Sequence, residues 1–273
     1  MACAIALTAT LSAAGALAHD ASRYPDWKGQ WVRKSAGTFD PGKPYGLGQR
    51  APLTPEYQVV LEASVADQAA GGQGNNPMAG CIPPAMPRMM IVYGLGMELV
   101  ITPETTYVLM GEPMNQLRRI YTDGRDWPES FEPTYSGYSI GRWEDQDGDG
   151  RHDVLVVETR GIKGPHSYDS SGMPFHRDGK AVVKERIYLD RANPDILVDE
   201  ITVFDNALTQ PWTVTRRYAR ERDTMWLETI CGEDEHQVKI GNEDYFVSGD
   251  GFLMPTRKDQ PPPDLRHFEQ VAK

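Results

Sequence analysis

Residues 145–153 read Asp-Gln-Asp-Gly-Asp-Gly-Arg-His-Asp. Carboxylates at alternate positions, a glycine, and a further acid match the first nine positions of a calcium-binding loop. Ca²⁺ takes six to eight hard oxygens, and alternate aspartates in a tight turn converge on one point. Asp145, Asp147, Asp149 and Asp153 are the candidate ligands, with Gly150 at the sharp bend. Position twelve is Val156 rather than glutamate, and both flanks have strand character. The expectation is a calcium loop between two strands that pins a hairpin; a solvated acidic turn fits the same residues.

A second chemistry follows from strand faces. In Ala181 to Leu189 one face carries Val183, Glu185, Ile187 and Leu189; in Trp212 to Ala219 one face carries Trp212, Val214, Arg216 and Tyr218. A lone charge on a core-side face must be paired or must face a polar cavity, because an unpaired ion in a dry core is very costly. A Glu185–Arg216 pair inside the fold is therefore expected, as a site or as a structural bridge. His166 and His176 lie in a loop rich in Tyr and Asp, where histidine can act as a general base. The run Arg118-Arg119-Ile120-Tyr121-Thr122-Asp123-Gly124-Arg125 can grip an anion bidentately or form an exposed, self-paired turn. There is no G-x-S-x-G elbow, P-loop, dinucleotide fingerprint or H-E-x-x-H.

The elements that must position these groups are mostly strands. Thr54-Pro55-Glu56 starts one helix, with Thr54 as N-cap, and an apolar stripe of Tyr57, Val60, Leu61 and Val65 runs to about Asp67. From Cys81 onward, β-rich runs alternate with turns: 97–102 and 105–110 joined at Pro103-Glu104, then 117–121, 137–143, 154–159, 181–189, 196–204, 212–219 and 226–231. Short strands without intervening helices predict an antiparallel meander that closes as a barrel or folds as a sandwich.

Composition agrees. Of 273 residues, 26 are Gly and 21 Pro, which favours turns, and 40% hydrophobic with 25% charged is ordinary for a globular chain. With 28 Lys+Arg against 39 Asp+Glu the net charge is −11, and no basic run offers a footprint for nucleic acid. Met1 to Ala18 carry no charge and end in Ala16-Leu17-Ala18, the small-x-small form cut by signal peptidase. With Cys3 removed, Cys81 and Cys231 remain, most simply as a disulfide in an exported chain. The expected organisation is a signal peptide over 1–18, a strand, loop and helix packing on the barrel over 19–80, a β-barrel domain over 81–255, and an extended tail over 256–273.

Several segments also resemble an uncharacterised family of exported proteobacterial proteins. They are Cys81-Ile82-Pro83-Pro84-Ala85-Met86-Pro87-Arg88, Arg118 to Arg125, Tyr138-Ser139-Ile140-Gly141-Arg142-Trp143, Lys184-Glu185-Arg186-Ile187 and Leu208-Thr209-Gln210-Pro211-Trp212-Thr213-Val214. Members carry His where this chain has Tyr138, and a tight turn where it has the Asp145–Asp153 loop. The family is similar to lipocalin-like (calycin) β-barrels, which implies a cavity for a small, partly apolar molecule.

Together these readings predict a mainly β protein: a single meander closing as a calycin-like barrel, with one short N-terminal helix and long loops. It would be periplasmic or secreted, without an integral membrane segment once cleaved, calcium-stabilised, and would bind a small, partly apolar or aromatic ligand. Arg216, Arg119, Trp212 and Tyr138 are the expected ligand contacts. The alternative is a lyase, isomerase or hydrolase using Glu185, His166, His176 and Tyr121 as acid/base groups at the barrel mouth. The sequence leaves the oligomeric state open.

Overall fold

A computed structural model describes residues 20–34, 51–91, 95–111, 114–223, 225–226, 230–231, 237–248 and 250–264. The segment expected to be a signal peptide and the end of the tail lie outside the described residues. Nine strands close into a barrel in sequence order: β1 (Gln30–Arg33), β2 (Leu95–Ile101), β3 (Thr105–Met110), β4 (Gln116–Tyr121), β5 (Tyr138–Glu144), β6 (Val154–Arg160), β7 (Val182–Leu189), β8 (Ile196–Phe204) and β9 (Trp212–Glu221). The closed nine-strand barrel is consistent with a calycin-like fold. Between β1 and β2 lie helix α1 (Pro55–Ala69) and the single turn α2 (Arg88–Ile91). Thr54 sits at the N-cap of α1 in extended backbone, but its side chain makes no capping bond.

An odd number of staves cannot alternate direction all the way round. One neighbouring pair must run parallel, and it is β4 and β5, in register at Ile120↔Ser139 and Tyr121↔Ile140. All other neighbours are antiparallel, including β1 with both β2 and β9. The meander expected from sequence is thus broken once, and residues 122–137 must run back along the outer wall to bring the chain to the start of β5.

Period-two alternation aims one face of each strand inward. In β9 Trp212, Val214, Arg216 and Tyr218 are buried while Thr213, Thr215 and Arg217 are exposed. Trp31, Met97, Met110, Leu155, Ile187 and Leu197 join the same apolar core.

The barrel's bounds differ from those expected. β1 is itself a stave, filling the gap between β2 and β9 that would otherwise leave two open edges. The barrel ends at Glu221, and the chain beyond forms a separate sheet of β10 (Gln237–Ile240), β11 (Glu243–Val247) and β12 (Leu253–Pro255). The strand expected over 226–231 falls partly on residues outside those described. Tyr245 Oη donates to the Pro261 carbonyl, at 3.0 Å, so the proline run straps this small sheet.

Cys81 and Cys231 form a disulfide with Cα atoms 5.7 Å apart, 150 residues apart in sequence. Among the described residues, no helix is long and apolar enough to cross a membrane. Closing so long a loop restricts the unfolded chain strongly; cross-links of this kind are worth about 3–5 kcal/mol. Reduction should lower the urea midpoint of the wild-type protein accordingly. The Cys81→Ser/Cys231→Ser variant should start at that lower midpoint and be indifferent to reductant.

Candidate functional site

Glu185 and Arg216 both point into the barrel, as their strand faces require, but they are not each other's partner. The guanidinium that holds Glu185 is Arg118, which donates from Nη1 to Oε1 at 2.8 Å and from Nη2 to Oε2, with both side chains fully buried. The expected pairing is corrected because β4 turns Arg118 and Ile120 inward and leaves Leu117 and Arg119 outside. Arg118 also donates to Ser139 Oγ at 3.3 Å and Thr159 Oγ1 at 2.9 Å, and those hydroxyls bond each other at 2.8 Å. Arg216 instead donates from Nε to the Ile91 carbonyl at 2.6 Å, and Tyr218 Oη donates to the Met90 carbonyl. Both acceptors are end carbonyls of α2, so the barrel's interior cation and phenol satisfy a short helix plugged into one mouth.

Asp199 completes a belt in which six consecutive strands each place one polar residue inside: Arg118, Ser139, Thr159, Glu185, Asp199 and Arg216. Asp199 pairs across the strands with Arg216, yet neither of its carboxylate oxygens receives a hydrogen bond. Burial, followed by the charge of Glu185, raises its pKa well above the usual carboxylate value, with Arg118 opposing and Glu185 also in hydrogen-bond contact. With no donor reaching either oxygen, that environment favours the neutral acid at Asp199 over the carboxylate.

The remaining candidates are dispersed. His166, His176 and Trp212 sit at the mouth that α2 plugs. Burial holds the His166 pKa down to about 4, and its ring lies 4.0 Å from that of Phe175. His176 Nδ1 lies 3.0 Å from Asp178 Oδ1, and its ring packs on Tyr57 at 5.3 Å. Ser167 Oγ accepts from Arg88 Nη1 and donates to the Asp169 carbonyl, an arrangement that leaves it no histidine to activate it. Tyr121 and Tyr138 do come together, centroids 5.1 Å apart, but on the outer wall with Trp127 and Phe131, where Arg125 lies 3.9 Å over Tyr121. Arg119 is exposed, 5.8 Å over Tyr107.

The opposite mouth holds the feature that sequence reasoning missed. Residues 21–28 lie across it as a lid. Arg220 fastens the lid by donating to the Asp26 carbonyl at 2.7 Å and the Lys28 carbonyl at 2.5 Å while stacking 4.4 Å over Trp31. Trp31 Nε1 donates to the Trp27 carbonyl at 3.0 Å. Gly29, at φ +94°, makes the turn into β1, and a Cβ there would meet the Glu221 carbonyl at 3.0 Å. Under the lid Trp27 packs on Trp143 at 4.9 Å, and Tyr24 packs on Trp143 at 5.4 Å and on His152 at 4.9 Å. A cavity of about 440 Å³ opens beside them, with Tyr24, Pro25, Trp27, Leu99, Val100 and Ile101 as its apolar wall and Asp26, Lys28 and Arg151 as its charged lining. The indole N–H groups of Trp27 and Trp143 and Nδ1 of His152 are buried without a partner. Burial, then the charge of Arg23, lowers the His152 pKa, so that ring is neutral near pH 7. The signal for this site was two tryptophans, Trp27 and Trp31, straddling a glycine at the entry to the first strand.

The acidic loop forms part of the same mouth. His152 N–H donates to the Arg23 carbonyl at 2.7 Å, and Arg151 reaches the cavity. Carboxylate oxygens of Asp145, Asp147 and Asp149 come within 4.8 Å of one another. Asp145 accepts from the backbone N–H of Gly148 and Gly150 at 2.7 and 2.8 Å; Asp153 lies apart from that trio, accepting from Gln146 N–H at 2.9 Å.

The acid pair predicts a measurable pH dependence. Above the unfolded carboxylate pKa, the folded chain holds a proton on Asp199 that the unfolded chain has lost. Its contribution to stability is therefore fully present below about pH 4 and declines by about 1.4 kcal/mol per unit as pH rises towards the folded pKa. Asp199→Asn keeps a donor towards Glu185 without needing that proton. Urea unfolding from pH 5 to 8 should show the variant gaining on wild type as pH rises, and a constant difference would refute the shared proton. Glu185→Gln should cost about 3–5 kcal/mol by leaving Arg118 buried and uncompensated.

Neither the protein-family models, the curated proteins nor the solved structures contain a match to this chain, so its geometry carries the functional argument.

Proposed function

We propose that this chain is an exported binding protein that holds a small, partly apolar or aromatic molecule at the lid-covered mouth of its barrel. The observation that carries the reading is the cavity walled by Tyr24, Trp27, Leu99, Val100 and Ile101, in which Trp27 keeps a buried indole N–H without a partner. Ligand pockets are typically concave, mostly apolar and furnished with a few polar groups, on the order of 300–1,000 Å³. The enzyme alternative has less support: Glu185 is sealed in the interior, while His166 and His176 lie at the other mouth, away from this cavity. Export is supported by the uncharged first 18 residues with their small-x-small end and by the Cys81–Cys231 disulfide.

Titration with N-phenyl-1-naphthylamine, a neutral aromatic fluorophore, tests the site. Saturable enhancement at micromolar concentration is expected. Val100→Asp should weaken it at least tenfold, since Val100 lines the cavity but is 45% exposed and unimportant to the core. Enhancement that is absent, or indifferent to Val100→Asp, would remove this site.

Calcium at the Asp145–Asp149 trio belongs to the same reading. The three carboxylates, turned by Gly148 and Gly150 at φ +77° and +87°, supply hard oxygens at one point, with backbone carbonyls or water needed to complete a shell. Millimolar Ca²⁺ should raise the melting temperature of the wild-type protein and leave Asp147→Ala unmoved. Equal melting curves with Ca²⁺ and with chelator would overturn it.

A further inference from the structure

Apart from Nδ1 of His152, the groups around the lid cavity that lack partners are donors. Lys28 and Arg151 line it, both exposed, and neither side chain has an ion-pair or hydrogen-bond partner among the described residues. The indole nitrogens of Trp27 and Trp143 can only donate, and both are buried without an acceptor. The acid of the lining is already engaged: Asp26 accepts from Lys28 N–H at 3.3 Å with one oxygen, and the other lies 3.6 Å from Arg220 Nη1. An apolar wall thus meets a rim supplied with cations and donors and short of acceptors.

We infer that the mouth takes an amphipathic anion, with a flat apolar body against Tyr24, Trp27 and Leu99 and a carboxylate or sulfonate at the rim carrying Lys28 and Arg151. This rests on the binding reading above and names its ligand class. Charged donors bind anionic oxygens more strongly than neutral ones do, and a ligand acceptor would supply what the buried N–H groups lack. The chain's net charge of −11 repels anions in general, so a preference for one is a property of the local rim and not of the whole molecule. The aspartates of the neighbouring loop act against the preference, but Asp145 and Asp149 are already bonded to their own loop's backbone N–H groups.

The test compares two fluorophores with the same aromatic body. 8-Anilinonaphthalene-1-sulfonate carries the anion and N-phenyl-1-naphthylamine lacks it. At low ionic strength the sulfonate should bind about tenfold more tightly, and the margin should shrink towards parity in 0.5 M salt. Lys28→Ala/Arg151→Ala should abolish the margin while leaving the neutral probe within about twofold of wild type. Both positions are exposed, so folding is not at stake, and Lys28→Gln/Arg151→Gln offers a polar control. Equal affinity for the two probes, tighter binding of the neutral one, or a sulfonate preference that survives the double substitution would overturn the anion inference and leave the pocket standing. If neither probe responds to Val100→Asp, the pocket reading fails and the anion inference falls with it.

Discussion

The Arg118–Glu185 pair is the constraint around which the barrel interior is arranged. Two opposite charges removed from water incur several kcal/mol each in lost hydration, and their attraction offsets this only with close geometry and further hydrogen bonds. The surrounding strands supply both. Ser139 and Thr159 take two further guanidinium donors, and Asp199 is buried within reach of the Glu185 charge, which with burial raises its pKa well above the usual carboxylate value. A chain of obligations then runs round six staves, and each residue's register is set by its neighbour's need. A one-residue slip of any strand would turn its polar member outward and strand a charge inside. The belt therefore specifies alignment more than it adds stability.

The same belt divides the barrel functionally. At one mouth Arg216 and Tyr218 are committed to the end carbonyls of α2, whose Met89 and Met90 fill the opening. At the other mouth the cover is a lid of one 3-10 turn and irregular chain, pinned from β9 by Arg220, and the contacts are aromatic faces with unfilled N–H groups. A closed, satisfied end and an open-handed one follow from different chemistry at two ends of the same staves.

Legibility in the sequence tracked how much a single face could say. The barrel class, eight of its nine staves and the inward direction of Glu185 and Arg216 follow from alternation alone, because apolar runs bracketed those charges. Applied to Leu197, Asp199, Ile201 and Val203, the same logic would have found Asp199 as well. Arg118 was hidden for the opposite reason: Leu117 and Tyr121 make the Arg119 face look the more apolar, and only closure of the barrel decides between them. The parallel β4–β5 pair follows from counting staves, which no local pattern reports. The lid cavity depends on chain segments more than a hundred residues apart, Trp27 with Trp143 and His152, and adjacency of that kind leaves no periodic trace.

The cross-link between Cys81 and Cys231 encloses β2 through β9 and excludes β1. The four-residue stave that shuts the barrel thus comes from outside the covalent ring, and it is made first, yet it pairs Gln30 with Glu221. During synthesis from the amino end this segment can pair with β2 early, but its other edge waits for β9 until nearly the whole chain has appeared. Non-local pairing of this span closes slowly. Eight staves joined by a sulfur bridge form an open sheet whose two edges await one short guest strand, so the barrel has a seam, and the lid beside the cavity is the ribbon attached to it.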